Sequence, residues 1–283
     1  MSISPAKLRR HSPYPSPIRA PGRPKVDVPA AIEDLLRLLP CETYPSGAMA
    51  PVRHWPPAET HLTGTDPRFP FLIRQRGQVR SLRVPPVVLL HQLYDLGDDL
   101  THIDRAVDDL CTRGLLTKLR LGRTEAHQLA LIKTRDYHLL LARARERCPE
   151  ARDVLLRYAE FRRNHPTVGV VMTRSDLSER GGFSPADVEH LVGAGVALDI
   201  DADTIQWTIL EGGDYLHQIH RGRRDLLGWV RAAAGGEVAE SFILAKSARD
   251  LTFGRRYYIH DLVGSGALQR ASAPGGALLR LPK

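Results

Sequence analysis

A repeated pattern of one helix and two short strands limits what this chain can fold into. Three times, an amphipathic helix ends at a glycine and is followed by two short runs typical of strands. The glycines are Gly114, Gly195 and Gly266, which are 81 and 71 residues apart. Glycine is favoured there because the backbone turns left-handed at a helix end, and a Cβ penalises that conformation. The unequal spacing excludes a regular solenoid and favours separate modules of one type.

In each repeat, a polar or glycine-containing turn separates the two short runs, which predicts a β-hairpin. A helix that leads directly into a two-stranded hairpin is the second half of a winged helix, so one or two helices should precede it. The paired runs are LLTKLRL and HQLALI around GRTEA, VALDI and TIQWTIL around DAD, and ALQRA and ALLRL around SAPGG.

Helical patterns precede each of these repeats. Thr101 is a candidate cap in the first, and Ser184, followed by Pro185, is expected to cap the helix of the second. The sequence therefore predicts a mostly α fold with small β-hairpins (α+β), arranged as three tandem winged-helix domains. The helical segments are PPVVLLHQLYDL and LTHIDRAVDDL, then residues 150–164 and SPADVEHLV, then GGDYLHQIHRGRRDLLGWVRAAA and EVAESFILAKSA.

The expected domain boundaries follow from this pattern and from composition. Residues 1–28 are proline-rich and basic, and we expect a disordered tail. Residues 29–84 are expected to hold a helix over roughly 30–39, stopped by Pro40, and an irregular basic connection that forms a loop or a short hairpin. The three winged helices are then assigned to residues 85–148, 149–211 and 212–283.

The net charge of +8 is unevenly distributed along the chain. Residues 1–28 hold six basic residues and one acid, so they supply five of these eight charges and leave three for the rest. Evidence for DNA binding must therefore come from local clusters of basic residues and not from the overall charge. KLRRH and GRPK in the tail are candidate nuclear-import signals, with a merely solubilising tail as the alternative.

Other classes of protein are disfavoured by composition. No apolar run approaches the length needed to cross a bilayer, so no membrane association is expected. The three cysteines (Cys41, Cys111 and Cys148) are widely spaced, which disfavours a disulfide framework and fits a reducing compartment. Neither a cofactor-binding nor a metal-binding motif is expected, because His217 and His220 lack a third ligand at a matching spacing.

Four stretches between about Pro85 and Lys283 carry a family resemblance. They are PPVVLLHQLYDL, TRDY at 134–137, HLVGAGV and above all the C-terminal YYIHDLVGSGALQRASAPGGALLRLPK. They resemble the serine/threonine-protein kinase 19 family, which is named for an activity that its fold does not support. The resemblance implies three winged-helix domains, binding to double-stranded nucleic acid, a nuclear location and a role in transcription-coupled nucleotide excision repair.

The resemblance also implies partners. The family is similar to an adaptor between stalled RNA polymerase II, the Cockayne-syndrome ubiquitin-ligase complex, downstream DNA and the helicase of TFIIH. RNA in place of DNA and a homodimer on DNA are both left open by the sequence. A different class of function is also open: a protein–protein scaffold whose winged helices have lost DNA contact.

The helix over 212–233 is the first candidate for DNA contact. His217, Arg221, Arg224, Gly228 and Arg231 share one face, where a row of cations could lie along phosphates. The apolar side is expected to hold Leu216, Ile219, Leu226, Leu227 and Val230. By resemblance, Arg221, Arg223 and Arg231 match a basic helix of the family, and Lys246 and Arg249 lie where the family has a further basic pair; Arg224 joins the set from its position on the face.

Two further clusters complete the candidate DNA contacts. Arg113, Lys118, Arg120 and Arg123 surround the first hairpin, although Asp108 and Asp109 on the same helix would repel phosphate. Arg255 and Arg256 could serve the third module, whereas SPADVEHLV is acidic or neutral and is a better protein-contact surface. Base-specific reading is not expected, because no helix presents a suitable set of Asn, Gln and Arg on one face.

Kinase activity is not expected from this sequence. A kinase needs a glycine-rich phosphate loop, a strand lysine, a catalytic HRD and a metal-binding DFG, and none of these is present. His102-Ile103-Asp104 and His260-Asp261-Leu262 are only superficial echoes of HRD. The sequence therefore predicts a protein that is not an enzyme.

Overall fold

The computed structural model describes residues 25–39, 72–75, 78–81, 84–122, 128–246 and 251–282. Single turns of 3-10 helix occur at Pro149–Ala151 and Ala234–Gly236. The helices are α1 Val28–Arg37, α2 Leu90–Leu96, α3 Leu100–Thr112, α4 Thr134–Arg147, α5 Arg152–Asn164, α6 Arg174–Gly181, α7 Pro185–Gly193, α8 Gly212–Ala232, α9 Glu240–Ala245 and α10 Arg255–Gly264. The strands are β1 Leu72–Gln75, β2 Gln78–Ser81, β3 Val87–Leu89, β4 Leu116–Arg120, β5 Leu129–Lys133, β6 Val171–Thr173, β7 Ala197–Asp199, β8 Thr204–Trp207, β9 Glu237–Ala239, β10 Gln269–Ala273 and β11 Gly276–Arg280.

The same arrangement of elements recurs along the chain. Three antiparallel sheets have the strand orders β3-β5-β4, β6-β8-β7 and β10-β11-β9, so each adds one short strand to a hairpin. We call the groups unit 1 (α1, β3, α2, α3, β4, β5), unit 2 (α5, β6, α6, α7, β7, β8) and unit 3 (α8, β9, α9, α10, β10, β11), with α4 between the first two. Helix–strand–helix–helix–hairpin is the order of a winged helix, and the expected α+β fold class is confirmed.

The three glycines end their helices as the sequence predicts. The φ angles of Gly114, Gly195 and Gly266 are +69°, +75° and +78°, in the left-handed region. The next residue's amide then folds back onto the helix in the first two units, where the amide nitrogen of Leu115 donates to the carbonyl of Leu110 over 2.9 Å. Each glycine therefore reverses the chain from the helix into the hairpin.

The segments that follow the first helix of each unit differ from the prediction. PPVVLLHQLYDL and EVAESFILAKSA were expected to be helical throughout, but each begins with a strand, β3 and β9, and continues as α2 and α9. Unit 2 repeats this junction at β6 and α6. A strand of three residues is too short to show alternating hydrophobicity. Its conformation comes from pairing with the hairpin, as at Val87 opposite Ile132.

The first helix also starts earlier and belongs to a larger unit than expected. Asp27 caps α1 by accepting a hydrogen bond from the amide of Ala30 over 3.3 Å, and Val28 is buried. Both residues lie inside the range 1–28, for which a disordered tail was expected. Helix α1 packs against β3, α2 and α3. Unit 1 therefore begins before residue 85. In the basic connection, β1 and β2 form the short hairpin that was one of the two expected alternatives.

The units are joined by a shared core. The larger apolar cluster contains Leu89 of unit 1, Trp207 of unit 2 and Tyr257 of unit 3. Helices α2 and α10 pack especially closely, because a Cβ on Gly264 would lie only 1.9 Å from the carbonyl oxygen of His91. The packing of unit 3 on unit 1 therefore depends on a glycine at this position.

Polar groups of α2 and α10 are also paired across this contact. The amide of Gln92 donates to the carbonyl of Tyr257 over 3.1 Å, and its oxygen accepts from the amide of Leu89 over 2.8 Å. The hydroxyl of Tyr257 donates to the carbonyl of Val87 over 2.9 Å. Since unpaired buried polar groups are costly, these bonds specify one register of α10 on unit 1.

Gly264→Ala should lower the free energy of unfolding by about 2–3 kcal/mol, because the added methyl group must push α10 away from α2. Urea denaturation followed by circular dichroism measures this change. Gly228→Ala is the control, since Gly228 is an exposed helical glycine with open space around its Cβ position. It should stabilise the protein by about 0.5–1 kcal/mol. Equal stabilities of the two variants would contradict the close α2–α10 contact.

Candidate nucleic-acid interface

Helix α8 has one face in the core and one face in solvent. Ile219, Leu226 and Val230 are buried, as the sequence predicts. Gly222 lies on the buried side, where a Cβ would meet the ring of Tyr258 at 2.1 Å, so α8 and α10 approach closely. The opposite face presents the predicted basic set: His217, Arg224, Gly228 and Arg231 are exposed and Arg221 is half-buried.

Two arginines on this face have no partner among the residues that the structure describes. Among the described residues, neither Arg224 nor Arg231 forms a hydrogen bond or an ion pair. Asp214 continues this face at its N-terminal end, three residues before His217, and Asp225 lies at its edge, four residues after Arg221. Guanidinium groups without a carboxylate partner are available to bind phosphate oxygens.

Arg223 points the other way, which corrects the expectation that it contacts DNA. Its Nε and Nη2 donate to the two carboxylate oxygens of Asp261, each over 2.7 Å, and Nη2 also donates to Gln128 over 2.8 Å. The Arg223 side chain is 14% exposed and that of Asp261 is fully buried. Arg223 therefore ties α8 to α10 and to Gln128, the residue before β5 of unit 1. The sequence could not show this because Asp261 is 38 residues away.

Asp261 has a second partner in His91, whose Nε2 lies 2.7 Å from Oδ1 of the carboxylate. Burial alone would raise the pKa of Asp261, but the charge of Arg223 and the hydrogen bonds from Arg223 and His91 hold that pKa well below its usual range. The carboxylate is therefore ionised in the interior and depends on its two partners.

A second buried carboxylate is held in the same way. The Asp95 carboxylate lies 2.7 Å from Nδ1 of His260 and accepts a hydrogen bond from Nη1 of Arg270 over 2.6 Å. Burial opposes ionisation here too, and the contacts with His260 and Arg270 lower the pKa of Asp95. His260 and Asp261, the pair that superficially resembles a kinase HRD, thus serve the contact between units 1 and 3.

Helix α10 is not available to enter a DNA groove. Tyr257, Tyr258, Ile259, Asp261, Leu262 and Val263 are all buried. Arg255 is half-buried and donates from Nη1 to the carbonyl of Leu244 over 3.0 Å, which joins α10 to α9. Only Arg256 of the predicted pair is exposed and without a partner among the described residues.

Two of the basic residues around the first hairpin are neutralised by acids. Nη1 of Arg113 pairs with Asp109 over 3.2 Å, and the ammonium group of Lys118 pairs with Asp108. Arg120 is half-buried beside Thr208 of unit 2, and burial lowers its pKa. Asp108 and Asp109, which were expected to repel phosphate from this cluster, are therefore the ion-pair partners of two of its members. Arg123 lies outside the described residues.

Lys246 lies beside the C-terminal turns of α8. Its ammonium nitrogen is 4.6 Å from the ring centroid of Trp229 and 5.8 Å from that of Phe242, so two aromatic faces hold it by cation–π interaction. It therefore adds positive charge near Arg231 while being fixed in position. Its expected companion, Arg249, lies outside the described residues.

The corresponding helix of unit 2, α7, has a different character. Ser184 caps it in a reciprocal capping box with Asp187, as predicted from the Ser-Pro start. Asp187 is paired with Arg157, and Glu189 with Arg174 over 3.2 Å. No lysine or arginine occurs on α7, which agrees with its predicted acidic or neutral surface.

Comparison with known proteins assigns this architecture to a family. A family model described as inactive serine-threonine protein kinase 19 matches residues 73–281. The chain belongs to this family. In the part of the chain that the structure describes, no helix has the length and apolar character that crossing a membrane requires.

Three curated relatives are each called winged helix repair factor 1. The human protein is 31% identical over 203 residues, which cover 71% of this chain and 78% of the relative. The mouse protein is 29% identical over 70% of this chain and 78% of its own length. The protein of Xenopus laevis is 25% identical over 70% of this chain and 75% of its own length.

Arg223→Ala should lower the free energy of unfolding by about 3–5 kcal/mol, because it leaves the buried carboxylate of Asp261 without its arginine. Arg224→Ala, one residue along the helix, is the control and should leave stability unchanged because Arg224 is exposed and without a partner in the described structure. Denaturant titration measures both variants. If the two lost the same stability, the structural role of Arg223 would be wrong.

Proposed function

We propose that this protein is a non-enzymatic, nuclear repair factor that binds duplex DNA without reading its sequence. The observation that carries the proposal is the solvent-facing arginine row of α8, in which Arg224 and Arg231 have no partner among the described residues. The names of the curated relatives support the repair role. A row of this kind binds phosphates through charge and releases counterions from the duplex.

The helices that precede the hairpins support binding without base readout. Helix α10 is mostly buried, Arg113 of α3 and Lys118 of its hairpin are paired with acids, and α7 carries no lysine or arginine. None of these helices presents a set of Asn, Gln and Arg on one exposed face that would suit the edges of bases. Contact with DNA would therefore be made by the first helix of unit 3 in place of the helix before its hairpin.

The proposed contact set is smaller than the set expected from the sequence. Arg221, Arg224 and Arg231 form its centre, and Arg256 and Lys246 are further candidates. Arg223 and Arg255 are left out because their donors are used inside the protein. Three other residues, Arg113, Lys118 and Arg120, would first have to leave an acid or a half-buried position. Arg123 and Arg249 stay predictions.

The proposed cellular role is that of an adaptor in transcription-coupled nucleotide excision repair. This rests on the family resemblance, which supplies stalled RNA polymerase II, the Cockayne-syndrome complex and TFIIH as partners. Helix α7, with its acidic or neutral surface, is a candidate for a protein contact of this kind. A pull-down of TFIIH with the purified chain and with a Glu189→Lys variant would test that surface.

A protein–protein scaffold without DNA affinity is the second candidate function. It is favoured by the burial of α10, which removes from unit 3 the helix that a winged helix commonly places in the groove. The pairing of Arg113 and Lys118 with acids favours it as well. The two functions differ in one measurable property, the dependence of DNA affinity on salt.

For the chain starting at Lys25, the logarithm of duplex affinity should fall with the logarithm of salt concentration with a slope of about −2.7, for three phosphates neutralised by Arg221, Arg224 and Arg231. Arg224→Gln with Arg231→Gln should reduce that slope by about 1.8. Fluorescence anisotropy with a labelled duplex measures both. Starting at Lys25 removes most of the basic tail but keeps the cap of α1.

Arg152→Gln with Arg180→Gln is the charge-matched control, since both arginines are exposed and lie on α5 and α6, away from α8. This variant should keep the slope of the unchanged chain. An equal loss in both double variants would mean that net charge alone drives binding. If the chain from Lys25 binds no duplex at all, the scaffold function is supported and the DNA-binding proposal is wrong.

A further inference from the structure

Arg162, in the last turn of α5, is a buried cation without a counterion in the described part of the chain. The residue is only 7% exposed, and its Nη1 nitrogen has no hydrogen-bond partner. No ion pair joins it to an acid anywhere in the described part of the chain. Arg162 lies near the buried hydroxyl pair of Tyr137 and Tyr158, whose oxygens are 3.1 Å apart and bonded to each other.

Such an arrangement is costly for an arginine. The guanidinium group stays protonated in proteins, so burial cannot be relieved by loss of its charge. A buried charge normally has a partner of opposite charge and hydrogen bonds for its donors. The C-terminal end of α5 supplies about half a negative charge, but none of its carbonyls accepts a hydrogen bond from Arg162 in the structure.

Further positive charge surrounds this position. Arg163 follows directly and is exposed, and His138 is half-buried on α4, which packs against α5. Burial lowers the pKa of His138, and the positive charges of Arg163 and Arg162 lower it further. None of the three side chains is paired with an acid among the described residues. The two arginines therefore place positive charge beside the imidazole, and a bound anion would stabilise this group.

We propose that Arg162, Arg163 and His138 form a binding site for one phosphate-class oxyanion at the junction of α4 and α5. A tetrahedral oxyanion can accept hydrogen bonds from two guanidinium groups and an imidazole at once, and arginine is well suited to this geometry. The anion is either inorganic phosphate or one phosphate of a nucleic-acid backbone. The site is separate from the arginine row of α8 and does not depend on it.

The test is thermal unfolding of the full chain in phosphate and in chloride at matched pH and ionic strength. Saturating phosphate should raise the unfolding temperature by about 3 °C, because a ligand that binds only the folded state stabilises it. Arg162→Gln and Arg163→Gln should each lose this rise. Arg163 is exposed, so its variant should fold even if the Arg162 variant does not. Arg180→Gln, which removes an exposed arginine of α6, should keep the full rise.

Two results would overturn the proposal. One is the absence of any phosphate-specific rise in the unmodified chain. The other is an equal rise in the Arg163→Gln variant, which would show that phosphate acts elsewhere. Neither result bears on DNA binding by α8, which the salt titration tests by itself.

A second arm identifies the source of the anion. The imidazole NMR signals of His138 are followed while a short duplex is added in place of phosphate to the Arg224→Gln, Arg231→Gln variant, in which the row on α8 is weakened. A shift that disappears on Arg163→Gln supports the site with a backbone phosphate as its ligand. If the His138 signals shift with inorganic phosphate but not with the duplex, the site is supported with the free anion as its ligand.

Discussion

Two buried carboxylates hold unit 3 against unit 1, and the orientation of the arginine row of α8 depends on them. Helix α2 supplies His91 and Asp95, and helix α10 supplies His260 and Asp261, so each helix gives one carboxylate and one histidine to the other. Arg223 and Arg270 complete the two groups from α8 and β10. Burying a carboxylate is unfavourable unless its partners are in place. The contact is therefore specific in register as well as close.

This contact decides which faces of unit 3 meet solvent. Because α10 is packed on α2, most of its surface is buried and the helix cannot enter a DNA groove. Because Gly222 lets α8 approach the ring of Tyr258, and Arg223 reaches Asp261, the remaining positions of α8 turn outward. Arg224 and Arg231 are thus exposed as a consequence of the same packing that takes Arg223 into the interior. In unit 3 the exposed basic surface therefore lies on the first helix, α8, and not on α10, the helix that precedes the hairpin.

Features with a local cause could be predicted from the sequence. The glycines that end α3, α7 and α10, the hairpins after them and the amphipathic pattern of α8 all depend on residues a few positions apart. Other features depend on distant partners. The strands β3, β6 and β9 exist only by pairing with hairpins far along the chain, and His91 meets Asp261 across 170 residues. Helix α1 is separated from the rest of unit 1 by residues 38–86, so no local pattern could assign it there.

The candidate DNA residues show the same division between local and distant causes. The spacing of residues along α8 correctly separated the basic face from the apolar face. Arg223 belongs to neither face, and it was assigned to DNA from the family resemblance alone. For the first hairpin, the acids that neutralise the cations are near in sequence. Asp108 and Asp109 could therefore be recognised from the sequence as residues that weaken phosphate binding by this cluster. What no sequence pattern gives is whether a cation has a counterion within the fold.

That distinction, and not the number of basic residues, determines which arginines can bind an external anion. An arginine paired with a carboxylate would have to exchange one anion for another, with little net gain in Coulomb energy. An exposed and unpaired arginine such as Arg224 gives up only hydration and counterions when it meets a phosphate. A buried and unpaired arginine such as Arg162 has already lost much of its hydration, so an anion that reaches it meets a charge with few competing partners. The two kinds of unpaired arginine should therefore differ in selectivity: the exposed row tolerates any polyanion, and the buried position favours an anion small enough to enter.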